Sequence, residues 1–337
     1  MSGILPPKTA AAGTTTPRCY RTVITRVSGR YETKYKSCNI APMAELLQID
    51  ASGPRDDSLP LGPQSLVWRY FGDNRMFLIG PRPAVLQNML AELGQGVRDH
   101  SVFFDDTAAR VRRSLPPIFM TVYGSDDDHP GRQVRDFHHQ IKGDMPGGIG
   151  VSGSRATRYH ALDPDTYYWA HATFVEQVLY FADTFVKRLT DQEKQQIYLE
   201  SKTWYRRYGV SERSMPADYT DFQRYWNHML DRVVVAHPTA KYGVGYVTRG
   251  FPCPKGVPPL VWRAVAVVFN PLAAFLTTGG LPPQARRLLD LPWSARQERR
   301  YQRFAAAWRS RPVNWAWDRL PMRTRYNRFA RAGYARR

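Results

Sequence analysis

Cysteine is scarce in this chain, with three residues, Cys19, Cys38 and Cys253, among 337. No Cys-x-x-Cys pair occurs, so the ligand spacing of a structural zinc site is missing. Three thiols are also too few for a disulfide framework, and a reducing, cytoplasmic setting is the expectation. Acidic residues are few as well: 29 Asp and Glu stand against 48 Lys and Arg, for a formal net charge of +19. An uncharged apolar run of about 18 residues, the length of a membrane span, does not occur. The nearest to it, residues 257–278, is interrupted by Arg263 and Pro271 and reads as a pair of buried helices. The first residues lack the apolar core of a secretory signal, so contact with a membrane is expected to be peripheral at most. Internal repeats and heptads are absent.

What the chain has in quantity is aromatic side chains, 13% of the total, with nine Trp and 19 Tyr. They suit a large core or the wall of a large apolar pocket. The length allows one large domain, with an irregular N-terminal arm over 1–60, a helical domain over 61–320 and a basic tail over 321–337. Short strands are expected within 20–36, where Thr, Val, Ile and Tyr are frequent. The positive balance raises nucleic acid, an anionic membrane or an acidic ligand as partners. In the tail, from Met322 on, Tyr and Phe interleave with Arg. Such a segment either meets an anionic surface or lies over the domain with its arginine stems against apolar rings, and the second is preferred.

Helical periodicity dominates. Helices are expected near 63–72, from Pro83 through Leu93, and over 103–124 with a kink or interruption at Pro116-Pro117. A further helix is expected from Pro130 to Lys142, closed by Gly143, with Val134, Phe137, His138 and Ile141 on one side. The glycine-rich stretch 147–153 has no Lys-Ser/Thr ending and reads as a loop, not a phosphate cradle. Thr190 and Glu193 form a capping box that opens a helix through Ile197, Trp204 and Tyr208. Another helix spans about 218–235, residues 239–258 read as a Gly/Pro-rich loop, and helices follow at 282–291 and 294–308.

The stretch around which this pattern is organised is 163–188. Asp163 is a good N-cap and Pro164 suits the first helical position. On the helix that follows, His171 shares a face with Tyr167, Tyr168, Phe174, Val175 and Val178. An imidazole among such neighbours has two readings. It is a core histidine bonded to a backbone carbonyl, or it ligates haem iron with the aromatic and aliphatic side chains walling the porphyrin.

The string Tyr159-His160-Ala161-Leu162-Asp163-Pro164, followed by Trp169-Ala170-His171-Ala172-Thr173, resembles the signature of the latex-clearing-protein family, which includes rubber oxygenases and fungal ER-bound oxygenases of the mpaB type. The resemblance extends over about 65–310, including Gln87, Asp99-His100-Ser101, Arg110, Arg113 and Leu291-Pro292-Trp293-Ser294. It implies a mainly α single domain with a globin-like core that binds haem b. His171 is then the proximal iron ligand. Cys-x-x-Cys-His is absent, so the haem would not be covalently held. Rubber oxygenases carry an arginine and, three residues later, a lysine on the distal side. Arg135 and His138 match that spacing, with His138 departing in type, and both are candidates for catalysis and cofactor contact. Tyr167 and Phe174 are candidate wall residues, and Arg158 a candidate partner for a propionate.

Two departures matter. Leu90-Ala91 stands where many members have His-Pro, and no carboxylate lies between Arg113 and Tyr123, where the rubber-cleaving branch has a glutamate. Rubber cleavage itself is therefore not implied. The leading expectation is a haem b-dependent oxygenase acting on an apolar, isoprenoid- or lipid-like substrate. The alternatives are a haem-binding or sensing protein, with His171 and His138 both ligating, and a basic nucleic-acid or assembly protein that has lost haem.

Overall fold

A computed structural model describes residues 57–146, 158–254 and 256–336, and the strand backbone at 23–27 and 30–34. Cys19, Cys38, residues 53–56, the glycine-rich stretch 147–153 and Arg155 lie outside the described residues. Within the N-terminal arm, Val23–Val27 (β1) and Arg30–Lys34 (β2) form an antiparallel hairpin, with Val23 opposite Lys34 and Val27 opposite Arg30. From residue 57 on the chain is mainly helical, as its periodicity implies.

The central element is the helix carrying His171. Counting from the helix Leu66–Phe71 (α1), the order continues with a 3-10 turn Asn74–Ile79, Arg82–Gln87 (α2), Ala91–His100 (α3), Thr107–Tyr123 (α4) and Pro130–His138 (α5). A short ladder of Lys142–Asp144 (β3) and Arg158–His160 (β4) follows, then Pro164–Phe181 (α6). The Asp163 carboxylate caps α6 by accepting from the backbone N–H of Asp165 at 3.0 Å and of Thr166 at 3.3 Å. Tyr168, Trp169, Ala172, Val175, Val178 and Phe181 are all fully buried, so α6 has core on nearly every side. Each such side chain contributes roughly 1.5–3 kcal/mol by leaving water.

Asp191–Arg206 (α7) packs along α6 and opens with the expected capping box of Thr190 and Glu193. Its Glu200 reaches the start of α1, where the carboxylate accepts from Leu66 N–H at 3.0 Å and Val67 N–H at 2.8 Å. Burial raises the Glu200 pKa against the opposing pull of these donors.

Four expectations are corrected. The helix expected from Pro83 through Leu93 is two helices, α2 and α3, separated by a turn at 88–90. α4 runs without interruption through Pro116-Pro117. α5 stops at His138, because the chain must turn for β3 to pair with β4, and Gly143 lies in that ladder against the Tyr159 ring. Residues 239–258 hold a helix, Pro238–Thr248 (α9), after Tyr219–His228 (α8). The His237 ring caps α9 by accepting from Thr239 N–H at 3.2 Å. A further correction concerns 257–278. It is one helix, Pro259–Gly280 (α10), continuous through Pro271, and only its last turn is buried.

The C-terminal helices are Pro283–Leu288 (α11), Ala295–Trp308 (α12), Arg311–Arg319 (α13), Met322–Arg325 (α14) and Arg328–Ala335 (α15). The basic tail lies over α4. Phe329 stacks on Phe119 at 5.5 Å, Tyr334 meets Trp68 edge-on at 5.5 Å, and the Arg336 guanidinium donates to the Tyr123 carbonyl.

Glu200→Ala leaves two backbone N–H groups of α1 without their acceptor and is expected to cost roughly 2–3 kcal/mol. Glu200→Gln keeps one carbonyl acceptor and should cost less than half as much. Urea midpoints of the two variants test this, and equal losses would count against the cap.

Candidate functional site

The site is built from α6 outward. His171 is 3% exposed. Its Nε2 faces the Ser201 carbonyl of α7 at 3.2 Å, and among the described residues its buried Nδ1 has no hydrogen-bond partner. The tautomer that donates to Ser201 leaves Nδ1 with a free lone pair. Burial drives the imidazole pKa down to about 3, against the pull of the Ser201 carbonyl, so the ring is neutral near pH 7.

Four rings surround this imidazole. Trp204 and Tyr205 stand at 5.0 Å between centroids, Tyr208 at 6.0 Å and Tyr168 at 6.1 Å. Ser201, Trp204, Tyr205 and Tyr208 fall at i, i+3, i+4 and i+7 on one line running down α7 and just past its end. Trp204 is fixed in turn, since its indole N–H donates to Thr121 Oγ1 of α4 at 2.7 Å. Burial raises the Tyr208 pKa to about 12, and Tyr168 and Tyr205 are pushed up further by the same cause.

The cluster extends to α5. Tyr167 packs edge-on against Tyr208 at 5.4 Å and lies 6.3 Å from Tyr205. On its other side it meets His138 at 5.8 Å. Glycine at 131 is what lets α5 approach, because a Cβ there would strike the Arg207 carbonyl at the end of α7. His138 is half-buried, with Nδ1 2.7 Å from the Val134 carbonyl; burial lowers its pKa and the nearby Arg110 adds to that.

His171, Tyr167 and His138 are thus brought into one aromatic cluster, with Tyr167 linked to His171 through the rings of Tyr205 and Tyr208. Arg135 sits at the rim, paired with Asp136 at 2.7 Å and 3.4 Å from the Gly209 carbonyl. Phe174 joins through Trp204, at 6.0 Å, and also lines a small apolar cavity of about 60 Å³ with Phe71, Met76, Phe77 and Phe119. Arg158 is not among these side chains. It is 71% exposed on β4 and pairs across the ladder with Asp144 at 3.6 Å. Phe137, expected on the His138 side of α5, is 72% exposed. Sequence reasoning missed Ser201 and Tyr205 and took Trp204 and Tyr208 as ordinary helix positions. Their heptad-like spacing opposite a lone histidine was the available signal.

The donor chemistry fits an axial metal ligand: a neutral imidazole with one nitrogen held by a carbonyl and the other free. The space between His171 and His138 is filled by tyrosine rings. Seating a planar macrocycle there requires Tyr167, Tyr205 and Tyr208 to turn aside. No group of three or more His, Cys, Asp or Glu with metal-ligand geometry occurs among the described residues.

Fold and site define a mainly helical protein whose central helix presents one neutral, buried histidine inside an aromatic cage. Residues 68–310 match the family described as ER-bound oxygenase mpaB/B'/rubber oxygenase, catalytic domain. The match takes in well over half of the chain, which therefore belongs to this family of oxygenase catalytic domains. Uncharacterised proteins of Mycobacterium tuberculosis (Rv2237) and Mycobacterium bovis (Mb2261) are each 29% identical to it over 153 residues. That alignment covers 45% of this chain and 56% of each relative, so the chain spans little more than half their length. No solved structure matches.

The His171 pKa sets a pH dependence with a definite sign. The unfolded chain takes up a proton at about 6.5, whereas the folded ring resists protonation down to about 3. Stability present above pH 6.5 is therefore lost progressively as pH falls toward 3, by a few kcal/mol in total at about 1.4 kcal/mol per unit. His237, held near 4 mainly by burial and partly by Arg98, acts in the same direction. Urea midpoints between pH 7 and 4 should fall less steeply in His171→Gln than in the parent chain. Parallel slopes would show that His171 is not the group that titrates.

Proposed function

We propose that this protein is an oxygenase-type oxidoreductase that holds haem b non-covalently through His171 and acts on an apolar, isoprenoid- or lipid-like substrate. The observation that carries the reading is the buried His171 imidazole with one unsatisfied nitrogen, on the helix that family resemblance assigns to the proximal ligand. Haem bound there would supply the redox chemistry and the oxygen-binding site that side chains lack.

The chain's own residues have separate tasks. The Ser201 carbonyl accepts the imidazole N–H, which fixes the ring plane and raises the electron density on the ligating nitrogen. Tyr167 and Phe174 wall the site and keep water out. Arg135, at the rim on α5 and paired with Asp136, would offer a guanidinium donor to negative charge developing on oxygen. His138, whose pKa burial lowers, would offer its second ring nitrogen for a hydrogen bond.

One observation favours a second reading, a member of the family that keeps the fold without haem: the tyrosine rings that fill the space between the two imidazoles. The same ring of Tyr167 speaks against joint ligation by His171 and His138, the arrangement of a six-coordinate sensor.

Visible spectra of the purified full chain after addition of haemin, with pyridine-haemochrome analysis, separate these readings. A Soret band of b type, lost or displaced in His171→Ala, is expected. A parent chain that takes up no haem would leave His171 as a core residue. With haem bound, Arg135→Ala should keep the band and lower oxygen-dependent turnover of an apolar alkene by about a hundredfold, the loss typical of one missing charge-stabilising donor. Unchanged turnover would remove Arg135 from the site.

A further inference from the structure

Helix α10 is apolar where a helix in water should be polar. Its last residues, Leu276 to Gly280, are buried, with Gly279 against the Tyr301 and Trp293 rings. The preceding residues 259–275 stand largely free. Leu260 is 76% exposed, Val267 73%, Val268 71% and Val261 52%. A stripe at Trp262, Ala266, Asn270 and Ala273, with Ala274 and Phe275 next to the buried end, is partly covered; Phe251 N–H donates to Asn270 Oδ1 at 3.1 Å. At 100° per residue the exposed apolar positions sweep roughly 200° of the helix surface. Arg263 lies at one margin of that arc, exposed.

The charge around this helix is one-sided. From residue 232 to residue 289 the chain has seven Lys and Arg and no Asp or Glu. Arg249, at the end of α9, is exposed and lies on the stretch that leads into α10. An apolar arc this wide, on a stretch of chain that carries Lys and Arg but no Asp or Glu, is complementary to the boundary between the acyl chains and headgroups of an anionic bilayer.

We propose that α10 is an interfacial anchor that buries its exposed face in an anionic lipid surface. The exposed stretch is about 25 Å long, shorter than the roughly 30 Å hydrocarbon core. Its C-terminal end is fixed inside the folded domain, so it lies in the interface and does not cross it. Arg263 and Arg249 reach the headgroups while the valines and Leu260 enter the apolar layer. This assignment is independent of haem and of any activity at His171.

Flotation of the full chain with vesicles tests it, using phosphatidylcholine alone and phosphatidylcholine mixed with phosphatidylserine. The expected result is flotation with the mixed vesicles, weakened by salt and by omission of phosphatidylserine. The double variant Val267→Gln, Val268→Gln changes only exposed side chains and should keep the parent's melting behaviour while binding at least about tenfold more weakly. Arg249→Glu with Arg263→Glu should remove the phosphatidylserine-dependent part. Absence of flotation with mixed vesicles, or flotation indifferent to the valine changes, overturns the proposal. So does a dimer seen by light scattering that the valine variant dissociates without any vesicle binding, since the face would then belong to a second copy.

Discussion

A helix buried on every side must satisfy its polar side chains inside the core, and the arrangement around α6 follows from that requirement. Trp169 donates its indole N–H to the Leu86 carbonyl at 3.1 Å, and Gln87 Nε2 donates back to Thr173 Oγ1 at 2.9 Å, which seats α2. Gln177 donates to the Ile79 carbonyl at 3.1 Å, which places the 3-10 turn. His171 faces Ser201, and Tyr168 meets the Tyr198 hydroxyl at 3.4 Å, which sets the register of α7. Apolar area drives the assembly, but it is indifferent to register. The buried hydrogen bonds select one register, because each unmade bond would cost roughly 1–3 kcal/mol.

Against that well-satisfied background the exceptions on and beside α6 are informative. The Nδ1 atom of His171 and the hydroxyl of Tyr167 are buried without a hydrogen-bond partner among the described residues, and both belong to one aromatic cluster. Structural economy would favour an apolar residue at 171: the Ser201 carbonyl already has its place in α7, and phenylalanine would fill the same volume without an orphaned nitrogen. Position 171 thus carries a buried ring nitrogen that the packing among the described residues leaves unused. This is the physical content behind the family resemblance at this position.

Much of this was legible from sequence because it is local. Asp163-Pro164 announces the start of α6, and the Thr190–Glu193 box that of α7, through chemistry confined to four residues. His171 was legible as the odd polar member of an apolar face. What was not legible depends on partners remote in sequence. Tyr205 reads as one more aromatic on a helix until α6 is laid against it. The opening of α9 reads as a loop from its Pro and Gly content, whereas Pro238 occupies the first turn, where no N–H is needed. The run 257–278 was taken as buried because it is apolar, and burial is a property of neighbours, which composition does not supply. Arg158 follows the α6 signature closely in sequence, yet the β3–β4 ladder turns it toward Asp144 and solvent.

The electrostatics of the cluster bear on what chemistry it can host. The His171 ring resists protonation to about pH 3, Tyr208 holds its proton to about 12, and Tyr167, Tyr168 and Tyr205 are raised still further by burial. None of the groups packed on the imidazole is charged near pH 7, and α4 brings no carboxylate between Arg113 and Tyr123. At the edge of the cluster burial lowers the His138 pKa, and the nearby Arg110 lowers it further. The interior is thus uncharged and largely aromatic, with Arg135 at its rim paired with Asp136. The same absence of charge explains why the cluster packs tightly on itself: the phenol rings turn inward on one another, and any ligand has to displace them by offering His171 Nδ1 a better partner than none.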